Sequence, residues 1–406
     1  MTESKRSGPL EGVRVLDLTS IILGPFATQI LADLGADVIK VESPAGDTMR
    51  QVGPMRNPGM GAIYLHLNRN KRSVVLDLKT PEGREACLQL VRDVDVLLYN
   101  VRPQSMERMG LSYEAVSAVN PGIVYVGAYG FGNDGPYAGR PAYDDLIQGM
   151  TGVARLYERN SGHEPRYAPL TLADRTIGLH AAIACLSGVI HSRATGKGQS
   201  IEIPMFEGLA QMILGDHLGQ RTFNEDAPAG SMGYARLLSE HRKPYQTLDG
   251  YVSALIYNNR HWRQFLTAID RADLIVDSVF ATHTGRAENI GEVYRFVDAT
   301  LKTRKTAEWL TLFEENDIPC APLYTIEDLP DDPHLKATGH LAKTEHPTEG
   351  VVHTPAPLGR YDGKPMGIYR HAPALGEHTA EVLDQLQMDE TKKAAILKAV
   401  NGKSGD

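Results

Sequence analysis

Cysteine is scarce in this chain: Cys87, Cys185 and Cys320 are the only three among 406 residues. Their odd number and wide spacing exclude a disulfide framework and a Cys-x-x-Cys metal site, so a reducing cytoplasm is the expected compartment. A basic excess is also missing. The formal net charge is −8, which argues against nucleic acid or an acidic membrane as partner, because such surfaces reward positive charge. Residues 1–8 lack the apolar stretch of a signal peptide. No uncharged apolar run approaches the roughly 18 residues that span a bilayer. The 14 histidines include no His-x-x-x-His or His-Glu-x-x-His pair on a predicted helix, so no metal site is expected. Nor is there a Gly-x-x-x-x-Gly-Lys-Ser/Thr phosphate loop, or a Gly-x-Ser-x-Gly turn after a strand.

One nucleotide motif is present only in form. Gly130-Phe131-Gly132-Asn133-Asp134-Gly135 has the spacing of a dinucleotide fingerprint. The mechanism needs the last glycine to open a helix that receives the pyrophosphate, whereas Pro136-Tyr137-Ala138-Gly139-Arg140-Pro141 is turn-like, so a loop wall is the better reading.

Strand-like and helix-like segments alternate along the first half. Val13-Arg14-Val15-Leu16-Asp17-Leu18 reads as a buried strand, Pro25 opens a helix through Leu34, and Asp37-Val38-Ile39-Lys40-Val41 reads as the next strand. The pattern recurs in a strand over 73–78, a helix over 81–91, and strands over 94–99 and 122–126. A long helix after Asp174 and a strand over 200–203 would complete it. Such alternation predicts an α/β fold, with a parallel sheet covered on both faces in a Rossmann-like lobe. Beyond about Gly215 the texture changes. A strand over 249–256, helices over 261–269, 290–301 and 306–315, and an extended stretch over 318–324 mark a second, smaller lobe.

The segment Leu172-Ala173-Asp174-Arg175-Thr176-Ile177-Gly178, leading into a small-residue helix over 179–194, puts one carboxylate at a helix start. Side chains at i and i+4 share a face, so glycine at 178 lets a ligand or another backbone come close beside Asp174. A mid-helix glycine costs roughly 1 kcal/mol against alanine, so it wants a reason. Two readings stand: Asp174 caps the helix while Gly178, Ala181, Ala182, Ala184 and Gly188 permit tight packing, or Asp174 is reactive. His180 points about 240° round the helix from Asp174 and is expected to pack rather than act with it.

Basic residues gather beside predicted strand ends: Arg69, Lys71 and Arg72 before the 73–78 strand, Lys79 after it, and Arg102 and Arg108 after 94–99. Ligands of open α/β sheets sit beyond the carboxyl ends of strands, which places Lys79, Asn100, Arg102 and Arg108 to hold a phosphorylated ligand. A solvated charged rim gives the same pattern.

Together the motifs resemble the family III CoA-transferases of CaiB/BaiF type. The resemblance runs nearly end to end, through Pro9 to Leu18, Leu31 to Glu42, Asn70 to Leu78, Asn100-Val101-Arg102-Pro103, Gly132 to Tyr137, Tyr143-Asp144, the Asp174 segment, Thr195 to Gln199 and Leu375-Gly376-Glu377-His378. It implies a Rossmann-like large domain over 1–215, a small domain over 225–335, a segment over 340–406 returning to the large domain, and a homodimer of interlocked rings. It also implies that Asp174 is the nucleophile, ionised with help from the helix N-terminus, and passes through aspartyl anhydride and aspartyl-CoA thioester intermediates. Coenzyme A thioester is then a substrate rather than a tightly bound cofactor, and a free carboxylic acid is the second substrate, with succinyl-CoA suggested as donor. By similarity the CoA site comprises Leu76, Lys79, Asn100, Val101, Arg102, Arg108, Tyr143 and Met205, with Arg140 standing in for a lysine that Pro141 replaces. The alternative is an α-methylacyl-CoA racemase of the same fold. Racemases carry Gly-His-Asp where this chain reads Ala142-Tyr143-Asp144, so the expected base is missing.

Overall fold

Val15, Leu16, Ile39, Val74, Leu97 and Val126 are all 0% exposed. Burial on both faces of a parallel sheet is what such near-continuous Val, Ile and Leu runs encode. The computed structural model describes residues 7–401. Its strands β1 (Arg14–Leu18), β2 (Asp37–Glu42), β3 (Lys71–Val75), β4 (Val96–Tyr99), β5 (Val124–Tyr129) and β6 (Gln199–Pro204) form a six-stranded sheet. Its order is β3-β2-β1-β4-β5-β6, with every neighbouring pair parallel. The order reverses between β1 and β4, which leaves a crevice beyond their carboxyl ends.

The helices α1 (Leu23–Asp33), α2 (Pro81–Val91), α3 (Asp144–Met150), α4 (Leu172–Thr195) and α5 (Met205–His217) include the connections expected. Pro81 opens α2 behind Thr80, whose hydroxyl accepts the N–H of Gly83 at 3.1 Å. The strand expected over 73–78 starts earlier, at Lys71, and pairs only to Val75.

Gly178 has a packing reason. A Cβ there would lie 2.8 Å from the carbonyl oxygen of Leu23 and 2.9 Å from Phe26, so it is the backbone of α1, rather than an open space for a ligand, that the glycine admits. Gly188 likewise faces Val124 of β5. By length and composition α4 could cross a membrane, although Asp174, Arg175 and Arg193 bound its uncharged stretch. One face packs on α1, β5 and β6, while Leu179, Ile183 and Ile190 on the other are 50%, 59% and 71% exposed.

The chain divides into two compact units. One runs to Thr151 and resumes over Ala168–Gln211 and from Pro333; the other comprises Gly152–Tyr167 and Met212–Asp332. Two boundaries therefore differ from those expected: residues 152–167 fall outside the sheet-bearing unit, and the second stretch of the other unit starts at Met212. A helix over Val153–Ser161 between left-handed glycines, Gly152 and Gly162, carries no signal of that change in the sequence pattern.

The C-terminal segment covers the edge of the sheet. The N–H of His378 donates to Ser73 O at 2.9 Å, and the N–H of Val75 donates to the Thr379 hydroxyl at 3.0 Å, so the open side of β3 is satisfied. Val382 and Leu383 then join the core beneath α2.

The smaller unit has a sheet of β7 (Tyr245–Gln246), β8 (Tyr251–Ala254) and β9 (Cys320–Pro322), antiparallel throughout. Around it lie α6 (Asn259–Ala268), α7 (Ile290–Leu301) and α8 (Thr306–Glu315). Their apolar stripes meet in a core of Trp262, Phe265, Val297, Leu301, Trp309 and Phe313.

Candidate active site

The loop after β1 lies at the point where strand order reverses, and it is fastened from both sides. Asn100, just past β4, accepts the Ser20 N–H at 3.0 Å and donates its own amide to Ser20 O at 2.8 Å. Asp47, beyond β2, accepts the N–H of Ile21 at 3.1 Å. Ile21 has φ +73°, a left-handed conformation that costs a β-branched residue roughly 1–3 kcal/mol and persists only where neighbours impose it.

Beneath this loop is a buried ionic network. Lys71 reaches Asp17 at 3.2 Å and Lys40 reaches Asp47 at 3.0 Å, with all four side chains 0–1% exposed. Thr19 and Thr28 hydroxyls also donate to Asp17. Burial pulls the Lys71 ammonium down to about 8 against the attraction of Asp17. Arg69 pairs with Asp33 at 2.6 Å, and Arg72 with Asp37 at 2.8 Å and Glu381 at 3.0 Å. These three basic residues are thus structural counter-ions, neither ligand cradle nor solvated rim.

The residues expected at the CoA site all follow strand carboxyl ends or the helices just beyond. Leu76, after β3, is buried, and Lys79 is exposed at the start of the turn into α2. After β4 come Asn100, already bonded to Ser20, and Val101, half-buried against the core. Arg102 is exposed at the start of a helix over Pro103–Arg108, and Arg108 donates to Ser105 Oγ at 2.8 Å. Beyond β5, Arg140 stacks over the Tyr137 ring at 4.5 Å and Tyr143 is 63% exposed. Met205, buried at the start of α5, follows β6.

The dinucleotide-like loop has its amides occupied. Glu207 accepts the Gly132 N–H at 2.9 Å, and Glu202 accepts the Asn133 N–H at 2.8 Å. Carboxylates at those positions repel a pyrophosphate, and the next helix begins only at Asp144.

Asp174 is the third residue of α4 and caps nothing. Thr171 precedes the helix without a side-chain bond, and the orphan N–H of Asp174 is instead accepted by Asp144 Oδ1 at 3.0 Å. Gln148, 0% exposed, holds that arrangement: its amide donates to Asp144 Oδ2 at 2.6 Å, and its carbonyl accepts the Ala168 N–H at 2.9 Å. Among the described residues no donor reaches the Asp174 carboxylate itself.

Desolvation first, and the negative Asp144 second, push the Asp174 carboxyl up to about 7, with Arg175 opposing. Burial and a like charge thus raise the carboxyl at a helix end, where the partial positive charge acts in the opposite direction. The Arg175 guanidinium lies over the Phe26 ring at 4.6 Å. His180 is exposed within the chain rather than packed.

Asp144 and Gln148 were not among the residues singled out as site residues. Their i, i+4 spacing on α3 was the available signal. Among the described residues no three His, Cys, Asp or Glu side chains gather to hold a metal.

A family model described as CoA-transferase family III matches residues 10–379. The chain is 32% identical over 393 residues to the succinyl-CoA:glutarate CoA-transferase of Homo sapiens, covering 96% of this chain and 89% of that protein. It is 33% identical over 396 residues to the succinate–glutarate CoA-transferase of Agrobacterium fabrum, covering 94% and 96%. A crystal structure of a CaiB/BaiF family protein from Brucella suis matches with TM-score 0.75 and 32% identity, covering 94% of this chain and all of that one.

Proposed function

Since this chain belongs to CoA-transferase family III and is a CoA-transferase, we propose that Asp174 is the group that takes the acyl unit during the exchange. The observation that carries this reading is an unbonded carboxylate at the start of α4, raised to about 7, whose backbone is held from Asp144. A carboxylate of higher basicity is a better nucleophile, and at neutral pH a large fraction remains ionised.

The Asp174 carboxylate attacks the donor thioester carbonyl, forming a mixed anhydride and releasing CoA thiolate. The thiolate attacks the aspartyl carbonyl, giving an aspartyl-CoA thioester and the free donor acid. The acceptor carboxylate then attacks that thioester to form a second anhydride, and the returning thiolate takes the new acyl group and frees Asp174. Each step exchanges one acyl–oxygen or acyl–sulfur bond for another, so no oxidant or metal is called for.

Succinyl-CoA as donor and a short dicarboxylic acid as acceptor are the substrates we propose, a choice supported by the names of the human and Agrobacterium relatives. CoA is placed beyond the strand ends, against Leu76, Lys79, Val101, Arg102, Arg108, Arg140, Tyr143 and Met205, with Asn100 shaping the floor through Ser20. The exposed apolar row Leu179, Ile183 and Ile190 supports a homodimer, since such a face calls for cover.

Incubation with isotopically labelled succinyl-CoA, followed by peptide mapping, tests the assignment. An adduct on Asp174 is expected; full transferase activity in Asp174→Ala would refute it. Exchange of the substrate α-proton with deuterated water, without any acid acceptor, would instead support the racemase.

A further inference from the structure

The smaller unit contains a cavity of about 550 Å³, bounded by the segment before β7, by β8 and the residues after it, and by α7 with the short helix that precedes it. That volume suits a small-molecule site, for which roughly 300–1,000 Å³ is usual. Among the described residues no aspartate or glutamate lines it, whereas Arg236, Arg242, Lys243 and Arg286 all do. The side chains of Arg236, Arg242 and Lys243 make no hydrogen bond or ion pair with described residues.

Arg286 is the unusual member. It is 4% exposed, yet its guanidinium donates only to neutral acceptors, Phe280 O and Asn259 Oδ1, each at 2.6 Å. Its charge also lies 5.6 Å from the centre of the Trp262 ring. Burial lowers its pKa and no carboxylate opposes the shift. A buried cation without a counter-ion is costly, so the fold retains a charge that an incoming anion can neutralise. Beside it Trp262, Tyr245 and Tyr294, each under 10% exposed, present apolar ring surface.

We propose that this cavity binds an organic carboxylate with an apolar body, its charge meeting Arg286, Arg242 and Lys243 and its body packing on Trp262 and the tyrosines. The inference does not depend on the role assigned to Asp174.

The test is titration of the full-length Asp174→Asn protein, without CoA, with octanoate, and with n-octanol as neutral counterpart. Trp262 lines the cavity, while the other tryptophan, Trp309, is fully buried elsewhere, so indole fluorescence reports binding alongside calorimetry. Saturable octanoate binding is expected, weakened about tenfold or more in the double variant Arg242→Ala/Lys243→Ala and in Arg286→Met. Octanol should bind more weakly than octanoate. The double variant alters two exposed positions, so it remains decisive even where Arg286→Met fails to fold. Equal binding of octanol and octanoate, unchanged affinity in the double variant, or a cavity filled by a second copy of the chain overturns the proposal. Because CoA is absent, none of these results bears on Asp174.

Discussion

The backbone N–H of Asp174 points into the carboxylate of Asp144, 3.0 Å from Oδ1. The start of α4 is thus capped by a residue of α3, and the oxygens of Asp174 are left unspent. The same neighbour that supplies the cap also supplies the like charge that raises the Asp174 carboxyl.

Asp144→Asn removes the charge and keeps one acceptor oxygen for the Asp174 N–H, while its amide nitrogen takes the place of the oxygen that accepts from Gln148. The rising limb of kcat/KM against pH, expected near 7 in the parent, should move down by about one unit, with desolvation holding it above the ordinary carboxylate range. A limb that stays in place would show that Asp144 acts on Asp174 through position alone.

Asp174→Asn should abolish transfer and stabilise the fold at high pH. The folded-state value of about 7 lies above the model value of 3.8, so ionisation favours the unfolded chain as pH rises between the two, and the penalty is complete above 7. Thermal melts should show the variant more stable by about 1–4 kcal/mol at pH 8 and close to the parent at pH 4. A gain that is equal at both pH values would refute the linkage.

Gly178→Ala should destabilise by about 1–3 kcal/mol, because the added methyl meets the Leu23 carbonyl at 2.8 Å, a backbone atom that cannot swing away. Urea denaturation measures it. A neutral or stabilising result would mean that α1 and α4 are free to separate.

Lys71→Met removes the cation beside a carboxylate that is 0% exposed, and should cost about 3–5 kcal/mol. Combining it with Asp17→Asn should recover much of that loss, giving a coupling energy in a double-mutant cycle. Strict additivity would show that the pair is not coupled.

The parallel sheet was legible because runs such as Val96 to Tyr99 and Val124 to Val126 are apolar at consecutive positions, and only double burial asks for that. Asp174 was legible as an isolated carboxylate at a helix start. What the periodicity could not carry was who caps that helix, since the Asp144 cap comes from 30 residues away in sequence. The basic cluster at Arg69, Lys71 and Arg72 misled for a similar reason: its acidic partners sit on other elements, so pairing looks like surplus when read along one segment. Residues 152–167 belong with the smaller unit through contacts such as Asn160 to Leu237 and Ser239, which no local pattern announces.

The hydrogen bonds that His378 and Thr379 make along β3 set an order of events during synthesis. Strand β3 is complete within the first fifth of the polypeptide, yet its outer edge has no partner until the ribosome has added some three hundred further residues. Throughout that interval the nascent sheet offers a row of unpaired backbone groups to any passing strand. The intervening unit, whose residues are all translated earlier, can close its own core in the meantime. A chain stopped shortly before Ser73's partners emerge should therefore be prone to aggregation through that edge, and chaperone demand should fall once the last segment is released.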